Sequence, residues 1–437
     1  MDWTFALLLI VGSLIIMMLS GMPIAFGFLV VNIMGAFLFL GGIVGLKQLI
    51  YNTFASLNMF ALLPLPLFIL MGEVLFHSGV APHMLDALDK WLGRVPGRLS
   101  LLAVGCSTLF ATLSGSGMAN VALLGSTLAP EMEKRGYKKA MTLGPILGSA
   151  GLAQMIPPST LAVLLGAIAG ISIGSILVAI IVPGLIMAAI FAAYILVRCT
   201  LQPSLAPTYE VPPTPLLEKL VSFVQHILPA GFIIFLVTGV IFTGVATPTE
   251  AAAMGAFGTF ILAAAHRKLN WGIAKKSIMG TTRITVMMFM IIAGALPFSQ
   301  ILVMSGASRG VVEYAVGLPL SPIMVLVMMQ IILLIMGTFM DVVAMMMVTI
   351  PLYMPIISAL GFNEVWFAVI ILLNMDMGAI SPPFGLNLFV MKGVAPPGTT
   401  MGDIYKASFP FLLCDLLAMA LFIAFPSIAL WLPGLIR

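Results

Sequence analysis

The chain has 437 residues, 61% of them hydrophobic and only 8% charged, where soluble domains carry roughly 25%, so it is not an ordinary soluble protein. A net charge of +4 and a pI near 9.0 do not point to nucleic acid, because at a mean hydropathy of +1.19 basic residues mainly set membrane orientation. Ten-residue apolar alternation, the mark of a β-barrel, is absent, and apolar runs near 20 residues predict an all-α polytopic membrane protein.

The first run, Phe5–Leu19, follows Asp2 rather than a basic stretch, so it is expected to span rather than to be cleaved as a signal. Gly21-Met22-Pro23 separates it from Ile24–Val44. Residues 1–96 are expected to form scaffold helices, ending in a polar connection with Lys90, Arg94 and Arg98. Residues 97–197, which end in the run Ser172–Val197, are expected to form a first core. The Pro-rich connection 198–226 divides the chain in two. Residues 227–300 return to scaffold: the run Ile227–Val245, then a basic connection with Arg267, Lys268, Lys275, Lys276 and Arg283. That charge predicts a cytoplasmic position, as it does for Lys90, Arg94 and Arg98. Residues 301–400 form the second core and 401–437 a C-terminal helix. Cys106, Cys199 and Cys414 fit neither a metal spacing nor a disulfide framework.

The two halves repeat one another. "SGSGMANVALLGSTLAPEMEKRGY" precedes "MIPPST", and "MGTFMDVVAMMMVTIPLYMPIISALGF" precedes "ISPPFGLNLFV". Asn120 to Pro130 and Asp341 to Pro351 are both ten residues; Gly136 to Pro157 and Gly361 to Pro382 are both twenty-one. The first unit's connection carries Lys134, Arg135, Lys138 and Lys139, whereas its counterpart carries only Glu364. The positive-inside rule then places them on opposite sides, which predicts two inverted-topology repeats, the hallmark of secondary transporters.

Each repeat is expected to hold a hairpin tip and a broken helix. Pro157 and Pro382 free backbone carbonyls that hydrocarbon cannot satisfy, so protein, water or an ion must cover them. Leu113 to Gly117 bring hydroxyls and small residues, with Asn120 one turn on; Gly337, Thr338 and Asp341 take the analogous place. Oxygen donors of this kind suit a hard cation, and no His or Cys cluster suggests a transition metal. Half-helix N-termini after the breaks can hold an anion. Asp341 is a carboxylate within a span, which marks function by default. Glu73, Asp376 and Asp415 read either as buried pairs or as interfacial residues. Glu250 after Pro248 reads as a helix start. Arg309 could hold a substrate carboxylate, with snorkelling to the interface as the alternative.

Two other functions fit poorly. An intramembrane serine protease needs a histidine base, yet His77, His83, His226 and His266 all fall at connections or span ends. A passive channel usually needs symmetric subunits or charged rings.

"GSGMANVALLGSTLAPEMEKRGY", "IPPS", "GVATPTEAAA", "GTFMD" and "SPPFGLNLFVMKGVAP" resemble the large membrane subunit of tripartite ATP-independent periplasmic (TRAP) transporters, over nearly the whole chain. The resemblance implies a non-enzymatic, Na⁺-driven importer of organic acids in the bacterial inner membrane, of the ion transporter superfamily. It implies no cofactor beyond the coupling ion, an elevator-type motion and re-entrant hairpins. It implies two partners: a small four-helix membrane subunit, expected here to be unfused, and a periplasmic substrate-binding protein. It places one sodium site at Ser114, Gly115, Ser116 and Asn120 with the backbone from Gly151 through Ile156 to Pro157. It places the other at Gly337, Thr338, Gly378, Ser381 and Pro382. Substrate would lie near Ser159, Asp341 and Asn387. Relatives often have aspartate where this chain has Asn120, which removes a charge from that position. Whether the cargo is a C4-dicarboxylate, a sugar acid, a sulfonate or a keto acid stays open.

Overall fold

The computed structural model describes residues 2–208 and 215–435, without the side chains of residues 81 and 111–114. Residues 209–214 of the expected Pro-rich connection and the Ser114 side chain thus lie outside the described residues. In chain order the helices are α1 (Trp3–Leu19), α2 (Ile24–Phe39), α3 (Ile43–Leu57), α4 (Pro64–Ser78), α5 (Val80–Trp91), α6 (Arg98–Ser114) and α7 (Gly117–Lys134). There follow α8 (Lys139–Ser149), α9 (Leu152–Met155), α10 (Thr160–Ala169), α11 (Ile173–Leu201), α12 (Leu216–Phe242), α13 (Pro248–Ala265) and α14 (Trp271–Met304). The last are α15 (Ala307–Gly317), α16 (Pro322–Gly337), α17 (Val342–Ala359), α18 (Glu364–Ala379), α19 (Leu386–Val394) and α20 (Met401–Ala424).

Local chemistry sets many of these ends. Thr247 and Glu250 form a capping box on α13 with Pro248 in its first turn, the helix start that Glu250 suggested. Thr400 and Asp403 do the same for α20. Gly136 and Gly361 follow α7 and α17 with φ of +80° and +75°, a conformation that glycine adopts without cost. These are the two glycines from which the matched spacings were counted.

Among the described residues, six helices are long and apolar enough to cross a membrane, seven if the bent pair Lys139–Met155 and Thr160–Ala169 counts as one span. That pair bends by 45°. Large apolar side chains face outward, among them Leu8, Phe235 and Ile331, as a lipid solvent permits. The helices pack as two groups. In one, α14 runs along α2, α3 and α4, and α13 packs on α4 and α12. In the other, α8 packs on α6 and α20, α18 on α16 and α17, and α19 on α7. The C-terminal helix, expected as a separate element, therefore lies on the second group.

Candidate functional site

The first tip is the turn between α6 and α7. Gly115 has φ +60°, and Ser116 caps α7 by accepting from the Ala119 amide at 3.3 Å. The tip is tied to the first break, because Thr160 Oγ1 donates to the Gly115 carbonyl at 3.0 Å. Gly117 packs against the Ala150 carbonyl and the Asn387 amide: a Cβ there would lie 3.1 Å and 3.5 Å from them. One tip thus touches the broken helix of its own half and the α19 start of the other.

The first break runs through Ile156, Pro157, Pro158 and Ser159, all buried. Ser159 Oγ caps α10, accepting from the Ala162 amide at 3.3 Å. Gly184 of α11 lies directly against the Met155 carbonyl, so protein backbone covers one oxygen freed by the break.

The second half builds the same parts differently. α16 ends at Gly337, whose backbone touches that of Gly378 on α18. Thr338 Oγ1 donates back to the Ile335 carbonyl at 2.7 Å. Asp341 Oδ2 caps α17, accepting from Val343 N at 3.0 Å and Ala344 N at 3.4 Å. At the second break Ser381 Oγ donates to Met377 O at 2.7 Å, and Tyr405 Oη donates to Pro383 O at 2.7 Å. Pro383 and Phe384 are exposed, unlike their first-half counterparts. Both Pro-Pro bonds, 157–158 and 382–383, are cis.

These parts enclose a cavity of about 300 Å³. Ser116, Gly117, Gln154, Thr160, Asp341 and Asn387 line it, with Glu73 from α4 on the opposite wall. Four helix N-termini reach it, those of α7, α10, α17 and α19. Ser116, Ser159 and Asp341 cap the first three; α19, which starts after Gly385, has no side-chain cap. Leu388 N donates to the Gly385 carbonyl at 2.9 Å, and the amides of Leu386 and Asn387 have no partner among the described residues and keep their capacity for one. A larger groove, about 760 Å³, lies between α12 and α13, but it contains none of the expected residues, so volume alone does not mark the site.

Of the expected residues, Gly115, Ser116, Asp341 and Asn387 line the cavity. Gly151, Ile156, Pro157, Gly337, Thr338, Gly378, Ser381 and Pro382 form the tips and breaks behind it. Ser159 is buried and committed to its cap. Asn120 is buried too, and its Nδ2 donates to Ser107 Oγ at 2.8 Å in a chain that runs through Ser149 to the Pro145 carbonyl. It ties α7 to α6 and α8. Arg309 is not brought to the cavity: it is exposed on α15 and pairs with Glu313 at 2.7 Å. An arginine with a carboxylate one turn away and open solvent around it has no cause to turn inward. Sequence reasoning passed over Gln154 and Thr160, although each stands beside the first Pro-Pro. Glu73 was noticed without a role; its Oε2 lies 3.2 Å from His77 Nε2. His83, His226 and His266 stand in a row, neighbouring ring centroids 5.4 Å apart and planes tilted by 55° and 45°, and none of them lines the cavity.

The family model described as tripartite ATP-independent periplasmic transporter, DctM component, matches residues 11–428. The chain is 31% identical over 391 residues to the C4-dicarboxylate TRAP transporter large permease protein DctM of Pseudomonas aeruginosa, covering 89% of this chain and 90% of that one. It is 30% identical to the ectoine TRAP transporter large permease protein TeaC of Halomonas elongata, over 98% of this chain and 99% of that one. The isethionate permease DctMQ of Oleidesulfovibrio alaskensis is 29% identical, over 99% of this chain and 67% of that one. Among solved structures, the YdaH transporter of Alcanivorax borkumensis shares the fold, with a TM-score of 0.61 at 14% identity over 91% of each chain.

Proposed function

Given that this chain belongs to the DctM family of TRAP transporters, as the large permease subunit of a multi-pass inner-membrane secondary transporter and not an enzyme, we propose that it couples import of an organic acid to Na⁺. It works with a small four-helix membrane subunit and a periplasmic substrate-binding protein. The observation that carries this reading is the convergence of both tips and both post-break helices on one cavity.

The two halves act as inverted repeats. The order tip, 18-residue helix, glycine turn, broken helix occurs twice, with α7 and α17 equal in length. The tips are re-entrant, because each turns back beside the break of its own half. The second helix group moves against the first in an elevator-type motion, and the cavity at their meeting face travels with it.

Hydroxyl and carbonyl oxygens dominate both tips and breaks, a donor set that fits Na⁺. Ser114, Gly115, Ser116, Gly151, Ile156 and Pro157 would hold one ion, and Gly337, Thr338, Gly378, Ser381 and Pro382 the other; Asn120 supports the first from behind. Bound there, Na⁺ would supply the positive charge that faces those oxygens. The protein's own part is positional. Thr160 and the Gly337–Gly378 contact hold each tip on its break. The amides of Leu386 and Asn387 at the start of α19 and the Asn387 side chain offer donors to a carboxylate. Asp341, on the same cavity, rejects a second anion and orients the first. The test is uptake into proteoliposomes with both partners present. Accumulation should require an inward Na⁺ gradient and the binding protein; flux that needs neither would overturn the reading.

A further inference from the structure

Two carboxylates lie outside the cavity and have no part in the scheme above. Asp376 of α18 and Asp415 of α20 are both 0% exposed. None of their four carboxylate oxygens has a hydrogen-bond partner among the described residues. Their helices pack on each other, and the charge of Asp376 acts on Asp415. Asp376 also presses on the turn between α8 and α9, since a Cβ on Gly151 would run into its carboxylate. The other side of that turn, at the Ala150 carbonyl, carries the first tip through Gly117. Asp376 thus sits behind the first break, with Asp415 on the helix packed against its own.

Neighbouring buried carboxylates with no protein partner are strongly unfavourable as anions. Among the described residues no cation relieves them. Lys139, at the start of α8, pairs with Asp403 at 2.9 Å, and Lys392 of α19 donates to the Thr399 carbonyl. Arg198 of α11 and Lys406 of α20 are exposed. The remaining titratable neighbours, Tyr194, Cys199 and Cys414, carry no positive charge. What the pair offers is up to four hard, anionic oxygens beside a glycine turn, and such oxygens bind hard metal cations.

We propose that Asp376 and Asp415, behind the Gly151 turn, hold a metal cation in a site separate from the two tip-and-break sites. The choice of Na⁺ as that cation rests on the sodium-coupled reading above; the vacancy in charge does not. A cation there ties α18 and α20 to the α8–α9 turn, so its binding sets the position of the backbone on which the first tip rests.

The test uses the purified complex, with equilibrium binding of ²²Na⁺ and thermal unfolding in NaCl against choline chloride at equal ionic strength. Asp415→Asn should bind one Na⁺ fewer per chain than the unaltered protein and lose much of the Na⁺-dependent rise in Tm. In choline chloride it should be the more stable of the two, because one buried charge is gone. Asp415→Glu should keep the bound ion. Asp376→Asn supplies the same comparison should Asp415→Asn fail to fold. An unchanged ion count and an unchanged Na⁺-dependent Tm in both Asn variants would overturn the site while leaving sodium coupling intact. So would an unaltered protein whose Tm ignores Na⁺ and falls only as pH rises, since protons would then neutralise the pair. Absence of any Na⁺ binding in the unaltered protein would instead remove the coupling reading, and the site's ion with it.

Discussion

Gly337 and Gly378 meet backbone to backbone: a Cβ on Gly337 would lie 2.8 Å from Gly378 Cα, and one on Gly378 would lie 3.0 Å from Gly337 Cα. The end of α16 can rest on α18 only because neither residue has a side chain. Gly378→Ala must therefore push the second tip away from its break. Overpacking of this kind costs about 1–3 kcal/mol. Uptake should fall about tenfold or more, since each 1.4 kcal/mol lost in the productive geometry is a factor of ten. Proteoliposome uptake beside a thermal melt checks this; uptake within twofold of the unaltered protein would show that the contact is dispensable.

Asp341 does two things that substitution can separate. It caps α17 through two amides and presents a carboxylate to the cavity. Asp341→Asn keeps an acceptor for the cap, so Tm should hold while uptake collapses. Asp341→Ala should also lose about 0.5–2 kcal/mol of stability with the cap. Melts and uptake rates of the two variants distinguish the roles, and equal behaviour in both measurements would merge them.

Thr160 locks the first tip. Thr160→Val removes the bond to the Gly115 carbonyl and leaves that acceptor short of a partner, at a cost of about 1–3 kcal/mol. The tip should loosen while the rest of the fold stays put. Hydrogen exchange across residues 115–119 should speed up in the variant, and unaltered exchange there would remove Thr160 from the lock.

Arg309 makes a prediction of silence. It is 84% exposed at the side chain and pairs with Glu313 one turn on. Such a pair contributes about 0.3–0.5 kcal/mol. Arg309→Ala should leave substrate KM and Tm essentially unchanged. A marked rise in KM would return this arginine to the substrate path.

The plan of the molecule was legible where it is written in spacing. The Pro-Pro breaks, the glycine turns at Gly136 and Gly361 and the acid at Asp341 all stand at matched intervals, and each falls at a helix end. Breaks announce themselves because proline and glycine act on the local backbone. What was not legible is contact between remote segments. Asp376 and Asp415 are thirty-nine residues apart, and nothing local says that their helices pack together or that Asp376 faces the turn at Gly151. Asn120 was noted because it stands one turn from the tip, but that its Nδ2 is held by Ser107, thirteen residues upstream on another helix, while its Oδ1 has no partner among the described residues, could not be read from spacing. Arg309 looked available because its partner, Glu313, sits on the same exposed helix face, and exposure cannot be read from one arginine in an apolar stretch.

The bare start of α19 at Gly385 has one further consequence. The donors it exposes belong to the main chain, and every amino acid except proline supplies the same ones. Mutation can therefore reshape the walls around this corner, at Leu386 or Phe384, without erasing the grip on a negative group. A lineage built on this corner could exchange one cargo for another by small steps, each intermediate still holding an acid.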